Sequence, residues 1–233
     1  GLQIQPKQNL TFVGGNILME SAKITAPFAR VELGSFTPGS FVGIQPDGSN
    51  WKLQIDRVSN FQDIALSQSS QINTTGSGGG EVFVTGKRVA LEDGSDIFAL
   101  TLGEDNGGGI YINASESLDL IGGKLEGQYF TFLDTSTIGK GNGGQIEIST
   151  GNLRLVNGGR IIASTDREGN AGNISIAADR VEVVGKTADG LRASKISNDT
   201  TSNATGNSGN LWIDSKNLLI RDGVQIAVST SGK

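Results

Sequence analysis

The chain has 233 residues, 35 of them glycine, with 19 basic and 24 acidic side chains and a formal charge of −5. Cysteine and histidine are both absent, which excludes disulfides, thiolate metal centres, Ser-His triads and most zinc sites. The mild acidic balance offers no basic patch for nucleic acid, and no stretch approaches the roughly 18 apolar residues of a membrane span.

The first ten residues carry no charged region followed by an apolar one, so they read as mature or excised sequence, not as an export signal. Asn9-Leu10-Thr11-Phe12-Val13-Gly14-Gly15 resembles the later segment Ser117–Gly123 and is assigned with it to a second-strand position. Lys23–Ala26 then reads as a third strand and Arg30–Leu33 as a first strand. From about 34 to 57 an insertion interrupts the pattern. It holds two alternating runs, Phe41–Ile44 and Trp51–Ile55, around Pro46-Asp47-Gly48-Ser49-Asn50, a hairpin signature. The second strand resumes at Ile64-Ala65-Leu66 and the third at Gln71–Thr74.

Beyond this point the pattern becomes regular. Five Gly- or Asn-rich turns lead into short alternating strands at 79–84, 107–112, 143–148, 171–176 and 208–213. The first inward residue of each is Val82, Ile110, Ile146, Ile174 and Leu211. Seven or eight residues later comes a second column, Val89, Leu118, Leu153, Val181 and Leu218. A third column, again seven or eight residues on, is Ile97, Leu125, Ile161 and Ile226. After Val181 the third strand is delayed to Ile196, so insertions are placed at about 126–141 and 186–195.

A unit too small to bury its own core must stack on its copies. Three short strands per turn, rich in β-branched residues, predict an all-β, right-handed parallel β-helix of about seven coils, the first and last incomplete. Its coils would stack about 4.8 Å apart. A propeller is the competing architecture, but its blades are four antiparallel strands of about 40 residues each.

Several residue groups invite a functional reading. Asn142, Asn170, Asn173, Asn207 and Asn210 could line a groove, although Asn also suits left-handed corners and can ladder between them. The structural role is preferred. Asp93-Gly94-Ser95-Asp96 and Glu104-Asp105-Asn106-Gly107 offer oxygen ligands of the kind calcium takes. The nonapeptide and EF-hand calcium patterns are both missing, so turn capping is preferred and neither metal nor cofactor is expected. Catalytic β-helices need clustered Asp, Lys or Arg in a groove. Asp166-Arg167 and Lys186 with Asp189 fall in turns or insertions and do not recur as an outward column, so no enzyme is expected. The best binding candidates are aromatic. Phe83, Tyr111 and Trp212 take the outward position of the first strand, Phe83 directly over Tyr111. Tyr129, Phe130 and Phe132 lie in one insertion and Trp51 in the hairpin. Such rings bind sugars and protein partners, or simply cover the core beneath an insertion.

The repeat words also carry a resemblance. Gly169-Asn170-Ala171-Gly172-Asn173-Ile174, Ala114–Gly122, Phe61-Gln62-Asp63-Ile64 and Leu219–Ile226 followed by Ala227-Val228-Ser229-Thr230 resemble the repeats of filamentous-haemagglutinin-like two-partner-secretion exoproteins. The similarity is closest to their cyanobacterial branch and covers essentially the whole chain. It implies a right-handed β-helix, export through an outer-membrane transporter, and residence outside the cell or on its surface. Family roles are adhesion, aggregation, cytolysis or contact-dependent toxicity. The family's paired Asn-Pro-Asn-Gly and Asn-Pro-Asn-Leu secretion motif is missing, so the chain resembles the repeat segment that follows the secretion domain. The resulting expectation is an adhesive stalk segment of a longer exoprotein, contacting a glycan or cell-surface receptor, with no nucleic-acid partner and no membrane insertion. The alternative is a polysaccharide-binding or polysaccharide-processing β-helix.

Overall fold

Strands that alternate apolar and polar side chains present one face inward, and Gly-rich corners stop them after a few residues. The structure, a computed structural model, describes residues 1–48, 50–55, 58, 60–123 and 130–231. Within these the chain is all-β, with long parallel sheets compatible with a parallel β-helix or solenoid. The described strands form one nine-stranded and one eight-stranded parallel sheet and a two-stranded antiparallel one.

The nine-stranded sheet carries the first two columns. Leu10, Val31, Val82, Ile110, Ile146, Ile174 and Leu211 pair in register from strand to strand. Ile17, Ile64, Val89, Leu118, Leu153, Val181 and Leu218 form the second column beside them. In Glu81–Glu92 and its later equivalents one long strand bears both columns. One rung earlier the 34–57 insertion splits it, so Arg30–Ser35 and Ile64–Ser67 pair separately with the two halves of Glu81–Glu92. Gly109–Ile121 has one residue more between its columns than its neighbours. The register shift between Ala114 and Ser117 absorbs it as a β-bulge.

The eight-stranded sheet carries the third column: Ile24, Ile72, Ile97, Leu133, Ile161, Ile196 and Ile226. Here the sequence-based assignment is corrected. Leu133, and not Leu125, stands between Ile97 and Ile161. Leu125 lies outside the described residues, and the strand is Thr131–Asp134, so the insertion ends near 130 instead of running to 141. The Thr131 hydroxyl fixes that start, donating to the Ile121 carbonyl at 2.9 Å and accepting the Gly94 N–H at 3.1 Å. A second correction concerns the amino terminus. Asn9–Gly14 pairs with Arg30–Ser35 and is a first strand, while Ile17–Glu20, paired with Ile64–Ser67, is the second. A Gly-Gly corner can follow either strand, and only the pairing partner decides.

Two of the insertions make small antiparallel structures. Gly43–Asp47 and Asn50–Gln54 form a hairpin with Pro46 opposite Trp51. The loop before Lys195 closes through a bridge between Lys186 and Ala193.

At the corners, side chains bond from rung to rung. The N–H groups of Ala22, Ser70 and Gly158 donate to the hydroxyls of Ser70, Ser95 and Ser194 at 3.0, 3.1 and 3.0 Å. Asn142, Asn170 and Asn207 donate their N–H groups to the amide oxygens of Asn106, Asn142 and Asn170 at 3.0, 3.0 and 2.9 Å. Asn210 does the same to Asn173 at 2.8 Å. These asparagines therefore ladder, and their backbones stay out of the left-handed region. That conformation falls instead at other positions, among them Asp93-Gly94, Asn157-Gly158 and Asp222-Gly223. The inward columns join into one apolar cluster that includes Met19, Val82, Ile146 and Ile196.

Candidate ligand-binding surface

The aromatic candidates separate into four places. Trp51 holds the hairpin against the nine-stranded sheet: its indole N–H donates to the Thr11 hydroxyl at 3.3 Å, and its carbonyl accepts the Asn9 amide at 2.7 Å. Beside it the Leu53 N–H donates to both carboxylate oxygens of buried Glu32, at 3.3 and 3.2 Å. Burial pushes the Glu32 carboxyl up, against the opposing effects of the Leu53 N–H and Arg30. Trp51 thus secures the insertion to the sheet, with 44% of its surface still exposed.

Phe83 and Tyr111 do stack, with ring centroids 4.5 Å apart and planes within 7°. The Arg30 guanidinium lies 3.8 Å from the Phe83 centroid and is ringed by Glu81, Glu32 and Asp47 at 3.0, 3.7 and 3.8 Å. Burial raises the Tyr111 phenol, although Gln145 donates to its oxygen at 3.1 Å. An open groove of about 420 Å³ runs past these rings, bounded by Ile55, Asn113, Glu147 and Ser175. Trp212 shares the outward column but stands beyond Glu147 and Ser175, away from the pair and 69% exposed.

The fourth place is the outer face of the eight-stranded sheet. Phe132 meets Phe98 edge-on at 4.8 Å and Phe130 at 6.1 Å. Arg160, in register with Phe132, and Arg192, from the 186–193 loop, lie 4.8 and 4.1 Å from the Phe130 centroid. Burial, and secondarily Arg192, holds Arg160 below the usual guanidinium range. Two carboxyls share this face. Burial, with a contribution from Asp134, pushes Asp96 up to about 8 against the Phe132 N–H that donates to it at 3.2 Å. Burial likewise raises Asp134, whose oxygen accepts the Ser136 N–H at 2.8 Å. Tyr129, the remaining candidate, lies outside the described residues.

The sequence reading missed Asp96, Asp134, Arg160 and Arg192 as one surface. Alternation with inward residues marks Asp96, Asp134 and Arg160 as outward, but Arg192 lies in the 186–193 loop and nothing in the spacing brings it to their face. Among the described residues no group of three acidic side chains converges to hold a metal. A cavity of about 720 Å³ lies between Leu2, Phe12, Met19 and Leu33 and is the end of the apolar core itself. The chain matches no protein-family model, no curated protein and no solved structure.

Proposed function

We propose that the chain is a scaffold segment of a secreted or cell-surface, haemagglutinin-like exoprotein, built as a right-handed parallel β-helix of about seven coils. Its role is to extend a surface and present it for weak, multivalent contact with a glycan or receptor. Export would use an outer-membrane transporter. The observation that carries this reading is the unbroken register of the three inward columns, with rung-to-rung hydrogen bonds at the corners and chemical variety confined to outward faces and insertions. Such a frame is rigid, repetitive and suited to display.

A second reading, a polysaccharide-processing β-helix, is favoured by Asp96 alone, a carboxyl held protonated near neutral pH beside a second acid. Incubation with acidic polysaccharides decides between them. The scaffold reading expects no release of reducing ends or unsaturated products. Turnover that disappears in Asp96→Asn would replace it with the enzyme.

A further inference from the structure

Arg160 and Arg192 converge on one aromatic ring. Both guanidiniums rest on Phe130, and among the described residues neither forms a salt bridge. Among the described residues Arg160 Nε, itself buried, has no hydrogen-bond partner. Among the described residues the nearby charges have other hydrogen-bond or ion-pair partners, although Arg192 also helps to lower the Asp189 carboxyl. Lys195, in register with Arg160, holds Asp199 at 2.7 Å. Asp189, on the same loop as Arg192, accepts from the Thr187 hydroxyl and the Leu191 N–H. Asp96 and Asp134 turn to the N–H groups of Phe132 and Ser136.

We infer that Phe130, Arg160 and Arg192 form a binding site for the carboxylate or sulfate groups of an acidic polysaccharide. Two neighbouring like charges repel, and an oxyanion beside them removes that repulsion. The planar guanidinium matches carboxylate and sulfate through paired N–H groups, which a lysine cannot reproduce. The rings of Phe98, Phe130 and Phe132 continue the surface with apolar faces of the kind sugar rings stack on. Since burial pushes the Asp96 carboxyl up to about 8, it does not oppose an incoming anion at mildly acidic pH. The site deepens the glycan-contact reading by naming the chemistry of the contact and its place beside the 186–193 loop.

Calorimetric titration of the full chain tests this with three oligosaccharides: galacturonate (carboxylate), heparin-derived (sulfate) and neutral dextran. The expected result is saturable, salt-sensitive binding of at least one acidic oligosaccharide and none of dextran. Arg192→Ala should weaken it about tenfold or more. Arg192 is exposed, so this variant should keep the wild-type melting temperature. Arg160→Lys, which keeps the charge and loses the fork, should weaken binding too. Arg180→Ala, an exposed arginine on the other sheet paired with Glu182, should leave it unchanged. Absence of binding, equal affinity for dextran, or equal affinity in Arg192→Ala would each overturn the site. Release of polysaccharide fragments would instead overturn the scaffold reading and leave the site standing.

Discussion

Asp96 shows how a single outward residue can work against the fold. It points away from the core, yet its carboxyl is largely buried on a face that also carries Phe98, Phe132 and Asp134. Burial raises it to about 8, above the value near 3.9 of an unfolded chain. The folded state therefore binds the proton more tightly, and the stability this contributes is present below about pH 4 and is lost as pH rises through 8. Asp96→Asn keeps the oxygen that accepts the Phe132 N–H and removes the charge. It should stabilise the protein by roughly 1–3 kcal/mol at pH 8.5, discounted for partial solvent contact, and by almost nothing at pH 4. Urea denaturation at the two pH values measures this, and an equal effect at both would show that Asp96 ionises freely.

At the scale of the element, a strand here is defined by its partner as much as by its own residues. Columns such as Val82, Ile110, Ile146, Ile174 and Leu211 were legible because each is a β-branched or Leu residue at a fixed distance after a Gly-rich corner. Leu133 was not, since Gly122-Gly123 imitates a tight corner and makes Leu125 look like the next inward residue. The candidate site divides the same way. Phe83 over Tyr111 follows from register, but Arg160 and Arg192 meet only because a loop folds back, and no periodicity encodes that. The corners themselves permit a sharp test. A Cβ on Gly172 would stand 1.9 Å from the Gly144 carbonyl oxygen, whereas one on Gly15 would meet nothing within 4 Å. Gly172→Ala should cost about 1–3 kcal/mol because the stacked backbone above cannot move aside alone. Gly15→Ala should be close to neutral. Equal denaturation midpoints for the two variants would mean the corners are not stacked this closely.

Across the whole molecule, stability is the sum of contacts between each rung and the next, so an interior rung has no substitute. Ile174 is buried and pairs with Ile146 on one side and Leu211 on the other. Ile174→Asp would place an unpaired carboxylate in that dry column. The penalty is several kcal/mol, comparable with the roughly 5–15 kcal/mol that holds an ordinary domain folded. The variant should lose its cooperative unfolding transition and much of its strand signal in circular dichroism. Ser175→Asp, one residue on and facing solvent, carries the same charge and should fold normally. The pair separates register from composition, because a slip of one residue exchanges inward and outward positions along the whole strand. A folded Ile174→Asp beside an unfolded Ser175→Asp would therefore reverse the faces of the Ile174–Val184 strand and, through its pairings, those of both neighbours.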